Sequence, residues 1–267
     1  MSEVGSSEAG ELVSLTLEDH IATVRLERPE ALNAISGAMA DALRSRFVEI
    51  SQDGETWVVV LAAAGEKAFC VGADLKERAG FTLDDFHRNR EQVRGMFAAL
   101  RAVPQPVIAS VFGFALGGGF ELALSCDLIV ASQGTKLGLP EARVGLLPAG
   151  GGTQLLTRKV GVARAKEMIF RGRQIDALEA HRLGLVADVA TPEDLHEMTV
   201  GVARDICRSS PTAVREAKRA IDGTVGLPLE DGIELENDAW KVVIATEDRS
   251  EGIRAFNEKR APQWKNR

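Results

Sequence analysis

The sequence predicts an α/β core followed by a helical C-terminal region. Short apolar runs typical of strands recur over the first part of the chain, and apolar residues at helical spacing follow them. From about residue 161 onward the pattern is mainly helical. We therefore expect a core of residues 12–190 and a helical region of residues 191–267, which together make up most of the 267 residues. Residues 1–11 are polar and acidic, and they are expected to form a disordered lead.

Periodicity and end signals predict the individual elements. Two apolar stretches, 12–17 and 21–26, flank a polar tripeptide and predict a hairpin. Ser36 is suited to cap a first long helix, and Thr82 with Asp85 three residues later predicts the start of a second. Further strands are predicted at 57–62, 106–112 and 127–131, and further helices at 119–125, 163–171, 177–183, 192–209, 212–223, 228–246 and 249–259.

Composition limits the classes of partner. The net charge of −7 and the pI of about 5.3 disfavour a nucleic-acid-binding surface. The three cysteines have no metal-ligand spacing, so no metal site and no disulfide framework are expected. The N-terminus has neither a basic start nor an apolar stretch, and no window is long and apolar enough to span a membrane. These features favour a cytoplasmic protein with no membrane and no nucleic acid as partners.

Two glutamates follow turn-forming residues. Glu121 follows the run Gly117-Gly118-Gly119, which leads into a helical apolar pattern, and Glu141 follows Pro140. A glycine run at the start of a helix exposes backbone N–H groups, which bind negative charge. Two carboxylates beside such groups can transfer a proton and activate a water molecule. The pattern therefore indicates acid–base chemistry without a metal or a covalent nucleophile.

A third segment, residues 67–76, completes a set of motifs that resembles a known protein family. Together the three segments resemble the crotonase, or enoyl-CoA hydratase/isomerase, superfamily, and the resemblance runs from about Leu12 to Lys265. The supporting segments are residues 28–34, 69–76, 106–127, 140–141, 145–154 and 256–260. The resemblance implies an α/β crotonase-like spiral of ββα units. It also implies a helical C-terminal trimerisation region, and hence a homotrimer or a dimer of trimers.

The resemblance assigns roles to four residues. Negative charge that develops on the thioester oxygen is expected to be stabilised by the backbone N–H groups of Ala73 and Gly118. Glu121 is expected to activate water and Glu141 to protonate C2 of a 2-enoyl-CoA, which gives a 3-hydroxyacyl-CoA. Because two nearby carboxylates titrate as a pair, at least one pKa is expected to be raised. No cofactor is implied, since CoA is part of the acyl-CoA substrate.

The resemblance also implies residues that bind the acyl group and CoA. Arg28 is expected near the CoA phosphates, with a solvated surface charge as the alternative. Phe256 and Lys259 match positions that reach the nucleotide on a neighbouring subunit, with a solvated surface charge as the alternative for Lys259. The glycine run 150–152 is expected to let the backbone approach the acyl group near Glu141, with a simple helix-entry turn as the alternative. The remaining expected contacts are Ala31, Leu32, Gly72, Asp74, Leu75, Gly117 and Gly150, with a turn or cap role favoured over catalysis for Asp74.

Other reactions stay open at this point. Residues 72–78 and 258–262 look like the methylglutaconyl-CoA hydratase branch, whose substrate carries a second carboxylate and needs a cation near the acyl end. The candidate cations are Lys76, Arg78, Arg88 and Arg143. An enoyl-CoA isomerase needs one base and no water. RNA binding by an early helix is disfavoured, because residues 40–55 are not basic. The acyl pocket is expected to be built partly by residues 77–90.

Overall fold

A computed structural model describes residues 12–267, so the lead predicted for residues 1–11 lies outside the described residues. Its strands are β1 (Val13–Glu18), β2 (Ile21–Leu26), β3 (Val58–Ala63), β4 (Ala68–Cys70), β5 (Val107–Val111), β6 (Phe114–Leu116), β7 (Leu128–Ser132), β8 (Lys136–Gly138), β9 (Gln174–Asp176) and β10 (Asp188–Ala190). Its helices are α1 (Gly37–Ser51), α2 (Leu75–Arg78), α3 (Leu83–Arg101), α4 (Gly118–Leu124), α5 (Gly152–Val160), α6 (Val162–Arg171), α7 (Ala177–Arg182), α8 (Leu195–Cys207), α9 (Pro211–Thr224), α10 (Leu229–Ile244) and α11 (Glu247–Glu258).

The strands form two sheets, and the chain alternates between them. The larger sheet has the order β1-β2-β3-β5-β7-β10 and the smaller one has the order β4-β6-β8-β9. Each of the pairs β3/β4, β5/β6 and β7/β8 therefore gives one strand to each sheet before the chain enters a helix. This repeated strand–strand–helix path is the predicted spiral of ββα units, and the α/β fold class is confirmed.

The longest elements follow the sequence signals. Strands β1 and β2 form the predicted antiparallel hairpin. Helix α1 begins after Ser36, whose side chain accepts a hydrogen bond from the Met39 N–H, and α3 begins with a capping box between Thr82 and Asp85. Both helices bury one apolar face against the core, where the largest fully buried side chains include Phe47, Phe69, Phe97 and Phe120. Strong caps and apolar periodicity thus fix these elements locally.

Strands β4, β6 and β8 position the residues that follow them at one edge of the smaller sheet. They pair in parallel, so their carboxyl ends lie at the same edge. The residues that follow these strands are Gly72 and Ala73, Gly117 and Gly118, and Pro140 and Glu141. Segments about 70 residues apart in sequence are therefore brought together by strand pairing.

The C-terminal helices divide into two groups. Helix α8 packs on the larger sheet, where Leu195 and Ala203 join a buried cluster with Val60, Ile108 and Val130. It therefore belongs with the core, although the boundary predicted at residue 190 places it in the helical region. Helices α9 and α10 pack against each other and leave large apolar side chains exposed. No helix within residues 12–267 is both long enough and apolar enough to cross a membrane.

Candidate active site

A cavity of about 570 Å³ lies where the carboxyl ends of β4, β6 and β8 meet. Glu121 and Glu141 both line it, together with Ala73, Gly117 and Gly118. The rest of its wall is largely apolar: Ile35, Val71, Leu75, Phe86, Val93, Phe97, Pro140, Val144, Leu146, Leu147 and Ala149. A concave apolar site with a few convergent polar groups is the usual form of a small-molecule pocket.

Glu121 lies on α4 and is almost fully buried, with 4% of its surface exposed. Its Oε1 accepts hydrogen bonds from the N–H groups of Gly150 at 2.7 Å and Gly152 at 2.8 Å. Burial raises its pKa, while these N–H groups act in the opposite direction because they stabilise the ionised form. The run 150–152, expected near Glu141, therefore holds Glu121, and it also provides the entry into α5.

Glu141 begins the 3-10 turn Glu141–Val144 and is partly buried. Its Oε2 is shielded from solvent and has no hydrogen-bond partner among the described residues. Burial, with a smaller contribution from the charge of Glu121, raises the pKa of Glu141 to about 7, while its own backbone N–H acts in the opposite direction. The expectation of a raised pKa thus holds for both glutamates. The two carboxyl groups share a cavity but differ in how well the protein stabilises their ionised forms.

Two residues that line the cavity have unpaired backbone N–H groups. Ala73 and Gly118 both line it, and neither N–H has an acceptor within residues 12–267. Gly72 explains their close approach: it has φ +89°, and an added Cβ would lie 2.8 Å from Gly118 N and 2.9 Å from Leu116 O. Only glycine combines this backbone conformation with so little space. Two unpaired donors at one wall can bind an oxygen that gains negative charge.

Known proteins with similar sequences point to the same family. The model of the family "Enoyl-CoA hydratase/isomerase" matches residues 16–267. A putative enoyl-CoA hydratase/isomerase of Bacillus subtilis, YngF, is 42% identical over 96% of this chain and 99% of its own. The chain belongs to the enoyl-CoA hydratase/isomerase family. A probable mitochondrial enoyl-CoA hydratase 2 of Arabidopsis thaliana is 40% identical over 91% of this chain and 81% of its own.

A solved structure supports the fold of this family directly. The crystal structure of an enoyl-CoA hydratase from Bacillus anthracis superposes with a TM-score of 0.94 at 41% identity. The superposition covers 96% of this chain and 100% of the Bacillus anthracis chain. The crotonase fold predicted from the motifs is therefore confirmed, and so is membership of a family whose curated relatives are named hydratases and isomerases.

Two of the expected contacts, Arg28 and Asp74, do not line the cavity. Arg28 pairs with Asp74 at 2.6 Å and donates to the Ala34 carbonyl at 3.2 Å. Asp74 also caps α2 by accepting from the N–H groups of Lys76 and Glu77, and this network lowers its pKa despite burial. Asp74 thus has the predicted cap role. The guanidinium of Arg28 is engaged within the chain, and contact with CoA stays a prediction.

The other expected contacts divide by position. Leu75, Gly117 and Gly150 line the cavity. Ala31 and Leu32 end a 3-10 turn and do not line the cavity, although the Leu32 carbonyl accepts a hydrogen bond from the N–H of the lining residue Val71. Gly72 does not line the cavity either, but it packs closely against Gly118. Phe256, 84% exposed, and Lys259 end α11 and do not line this cavity within one chain. Their predicted contact with the nucleotide therefore depends on a neighbouring subunit.

Sequence reasoning missed one cation and selected two that do not reach the cavity. Arg78 and Arg143 line it, but Lys76 does not, and Arg88 pairs instead with Asp85. Arg90, absent from the predicted set, also lines it. It follows Phe86 by four residues and precedes Val93 by three, so helical spacing places it on the cavity face of α3. Residues 77–90 thus contribute to this wall, as predicted.

Proposed function

We propose that the protein is an enoyl-CoA hydratase that adds water across the double bond of a 2-enoyl-CoA to give a 3-hydroxyacyl-CoA. The observation that carries the proposal is the shared cavity of Glu121, Glu141 and two unpaired backbone N–H groups. Family membership supports the coarser statement that the chain has the hydratase/isomerase architecture. Two carboxylates distinguish hydration, which must handle a water molecule and a second proton, from chemistry that needs a single base.

In this proposal the N–H groups of Ala73 and Gly118 bind the thioester oxygen. Addition at C3 moves electron density to this oxygen, which becomes an enolate-like oxyanion. Fixed donors in an apolar cavity stabilise this charge more than water does, because they need no reorganisation as the charge develops. Loss of one such donor typically costs about 3–4 kcal/mol of transition-state stabilisation. Gly72 positions the pair by allowing the two backbone segments to approach.

The surroundings of the two glutamates support different roles. Glu121 receives two backbone N–H bonds that favour its ionised form, which suits a base that takes a proton from the attacking water. Glu141 receives no hydrogen bond at Oε2, and its pKa of about 7 keeps a substantial part of it protonated near neutral pH. It is therefore suited to protonate C2. Carboxyl groups whose environments separate their pKa values are a common arrangement for paired acid and base.

The proposal includes an assembly but no separate cofactor. CoA enters and leaves as part of the substrate and product. A homotrimer or a dimer of trimers is proposed because helices α9 to α11 expose large apolar side chains, which include Leu229, Trp240 and Phe256. Such an assembly brings the end of α11 of one subunit toward its neighbour. Analytical ultracentrifugation of the full chain tests this part.

The test of the reaction is loss of the ultraviolet absorbance of the enoyl thioester. Crotonyl-CoA and methylglutaconyl-CoA are compared with the wild-type protein and with Glu141→Gln. Fast loss with crotonyl-CoA that depends on Glu141 supports a general short-chain hydratase. If neither substrate loses absorbance, hydration of these two enoyl-CoAs is excluded, and an isomerase or another acyl-CoA reaction is favoured. Conversion of a 3-enoyl-CoA to the 2-enoyl isomer would then identify the protein as an isomerase.

A second candidate is the methylglutaconyl-CoA hydratase, whose substrate carries a further carboxylate. Arg78 and Arg90 line the cavity, and neither forms an ion pair with a carboxylate of the described residues. Arg78 donates one bond to Asn89, while its shielded Nε has no partner. These guanidinium groups provide the cation that the second carboxylate needs. Arg90→Gln should then raise KM for methylglutaconyl-CoA about tenfold and leave KM for crotonyl-CoA unchanged.

A further inference from the structure

The peptide between Gly150 and Gly151 is held from both sides. On one side, the Gly150 carbonyl accepts a hydrogen bond from Arg101 Nη1 at 3.1 Å. On the other side, the flanking N–H groups of Gly150 and Gly152 donate to Glu121 Oε1. The Gly151 N–H also interacts favourably with the ionised Glu121. One arginine and one glutamate therefore fix opposite faces of the same glycine turn.

A turn of this composition needs an external constraint. Consecutive glycines rotate at little steric cost, and Gly151 already has φ +129°, which few other residues adopt. Rotation of the Gly150–Gly151 peptide would turn its carbonyl oxygen toward the Glu121 carboxylate and remove a favourable N–H. The resulting repulsion would displace the carboxylate. The bond from Arg101 keeps the carbonyl on the side away from the cavity.

Two residues of the long helix α3 constrain the glycine turn. Arg101 is its last residue, and Phe97, one turn earlier, packs so closely that a Cβ on Gly150 would lie 2.3 Å from the ring. Phe97 thus blocks the turn from the cavity side, while Arg101 holds it from the other side. Burial lowers the pKa of Arg101, and the Glu121 charge acts in the opposite direction.

Arg101 lies outside the substrate cavity. It lines a second cavity of about 730 Å³, together with Arg158 and Lys159. Within residues 12–267, it forms no ion pair with a carboxylate. Its contact with the Gly150 carbonyl is therefore its main polar contact with the site. The charged groups that act on Glu121 from the surrounding elements are Arg90, Arg101 and Glu141.

We infer that Arg101 is a positioning residue: it fixes the glycine turn 150–152 so that Glu121 keeps the orientation that hydration requires. This inference rests on the proposed function, since it assigns Arg101 to the base of that reaction. A misplacement of about 1 Å in a catalytic group can cost 100-fold in rate. Because Arg101 does not contact the substrate cavity, its loss should change turnover far more than substrate binding.

The test compares Arg101→Gln and Arg101→Lys with Arg94→Gln. Arg94 lies on the same helix, is exposed, and pairs with Glu91, so its variant is a matched control for loss of charge. Arg101→Gln should lower kcat on crotonyl-CoA about 10- to 100-fold, with KM changed less than threefold. The acid limb of the pH profile of kcat/KM should move to higher pH, because Glu121 loses stabilisation of its ionised form. Arg101→Lys should recover part of kcat, and Arg94→Gln should match the wild type.

Equal kcat for Arg101→Gln and wild type would overturn the inference, as would a fall in kcat with an unchanged pH profile. A crystal structure of Arg101→Gln provides a readout that does not depend on turnover. A rotated Gly150–Gly151 peptide or a displaced Glu121 carboxylate supports the inference, and an unchanged turn overturns it. If the wild type itself hydrates no enoyl-CoA, the proposed function fails, and this crystallographic comparison still decides whether Arg101 fixes the turn.

Discussion

Glu121 and Glu141 line one cavity, but backbone donors from a neighbouring turn stabilise the ionised form of Glu121, whereas Glu141 has only its own backbone N–H for this purpose. Two N–H groups converge on Glu121 Oε1, while Glu141 Oε2 is shielded and has no partner among the described residues. This asymmetry follows from their positions: Glu121 faces the glycine turn that opens α5, and Glu141 opens a short 3-10 turn. The pair therefore has the unequal proton affinities that a base and an acid need.

Replacement of either glutamate by glutamine tests whether both carboxyl groups act. We expect Glu121→Gln and Glu141→Gln each to lower kcat on crotonyl-CoA at least 100-fold, since each removes one proton transfer. Glu66→Gln, in the exposed loop between β3 and β4, is the matched control and should match the wild type. If each active-site variant retains kcat within about threefold of wild type, the two-glutamate mechanism is wrong.

The raised pKa of Glu141 also predicts a change in stability with pH. A carboxyl group with a pKa of about 7 in the folded state, against 4.5 as its ordinary value, stabilises the fold below pH 4.5 and loses this contribution as pH rises through 7. Glu141→Gln should therefore be more stable than wild type at pH 8.5 by about 1–2 kcal/mol. The pKa difference alone would give roughly 3 kcal/mol, but solvent screens this partly buried side chain.

Urea denaturation at pH 5 and pH 8.5 measures this difference. The advantage of Glu141→Gln should shrink at pH 5, where Glu141 is largely protonated in the folded protein. The exposed variant Glu66→Gln should show no pH-dependent difference. An advantage of the same size at both pH values would mean that it arises from packing and not from the charge of Glu141.

The sequence predicted the long elements because their signals are local. Ser36 and Thr82 cap α1 and α3, and each helix carries an apolar face of several turns. The three-residue strands β4, β6 and β8 were not predicted, because three residues are too few to show a period of two. They form because each pairs with a strand far away in sequence. Since these strands create the site, the geometry of the site was the part of the fold that was hardest to predict from the sequence.

The residues of the site show the same difference between local signals, which were recognised, and long-range contacts, which were not. Glu121 and Glu141 were identified from local glycine and proline signals, and the structure brings them together. The partners of Glu121 lie 29 and 31 residues further along the chain, so no local pattern connects them, and the glycine turn was instead expected to approach the acyl group near Glu141. Arg90 was missed for a different reason: its helical spacing was visible, but an arginine on an exposed helix is usually a solvated charge.

Gly72 provides a test of the two backbone donors. Gly72→Ala places a Cβ 2.8 Å from Gly118 N and 2.9 Å from Leu116 O, at a φ of +89°. We expect a loss of about 1–3 kcal/mol in the free energy of unfolding from backbone strain. Separation of Ala73 from Gly118 should lower kcat about 100-fold or more. Gly80→Ala is the matched control, because the space around Gly80 is open and its φ is not positive. Wild-type kcat in Gly72→Ala would contradict the role of these donors.

Lys259 provides a test of the predicted contact with CoA. It is exposed, ends α11 in a left-handed conformation, and forms no ion pair within residues 12–267. If it binds the phosphates of CoA on a neighbouring subunit, Lys259→Ala should raise KM for crotonyl-CoA about tenfold, which corresponds to roughly 1.4 kcal/mol. KM for crotonyl-pantetheine, which lacks these phosphates, should not change. Lys265→Ala, which removes an exposed lysine paired with Glu247, is the matched control. An equal rise in KM for both thioesters would show that Lys259 acts on the shape of the site and not on the phosphates.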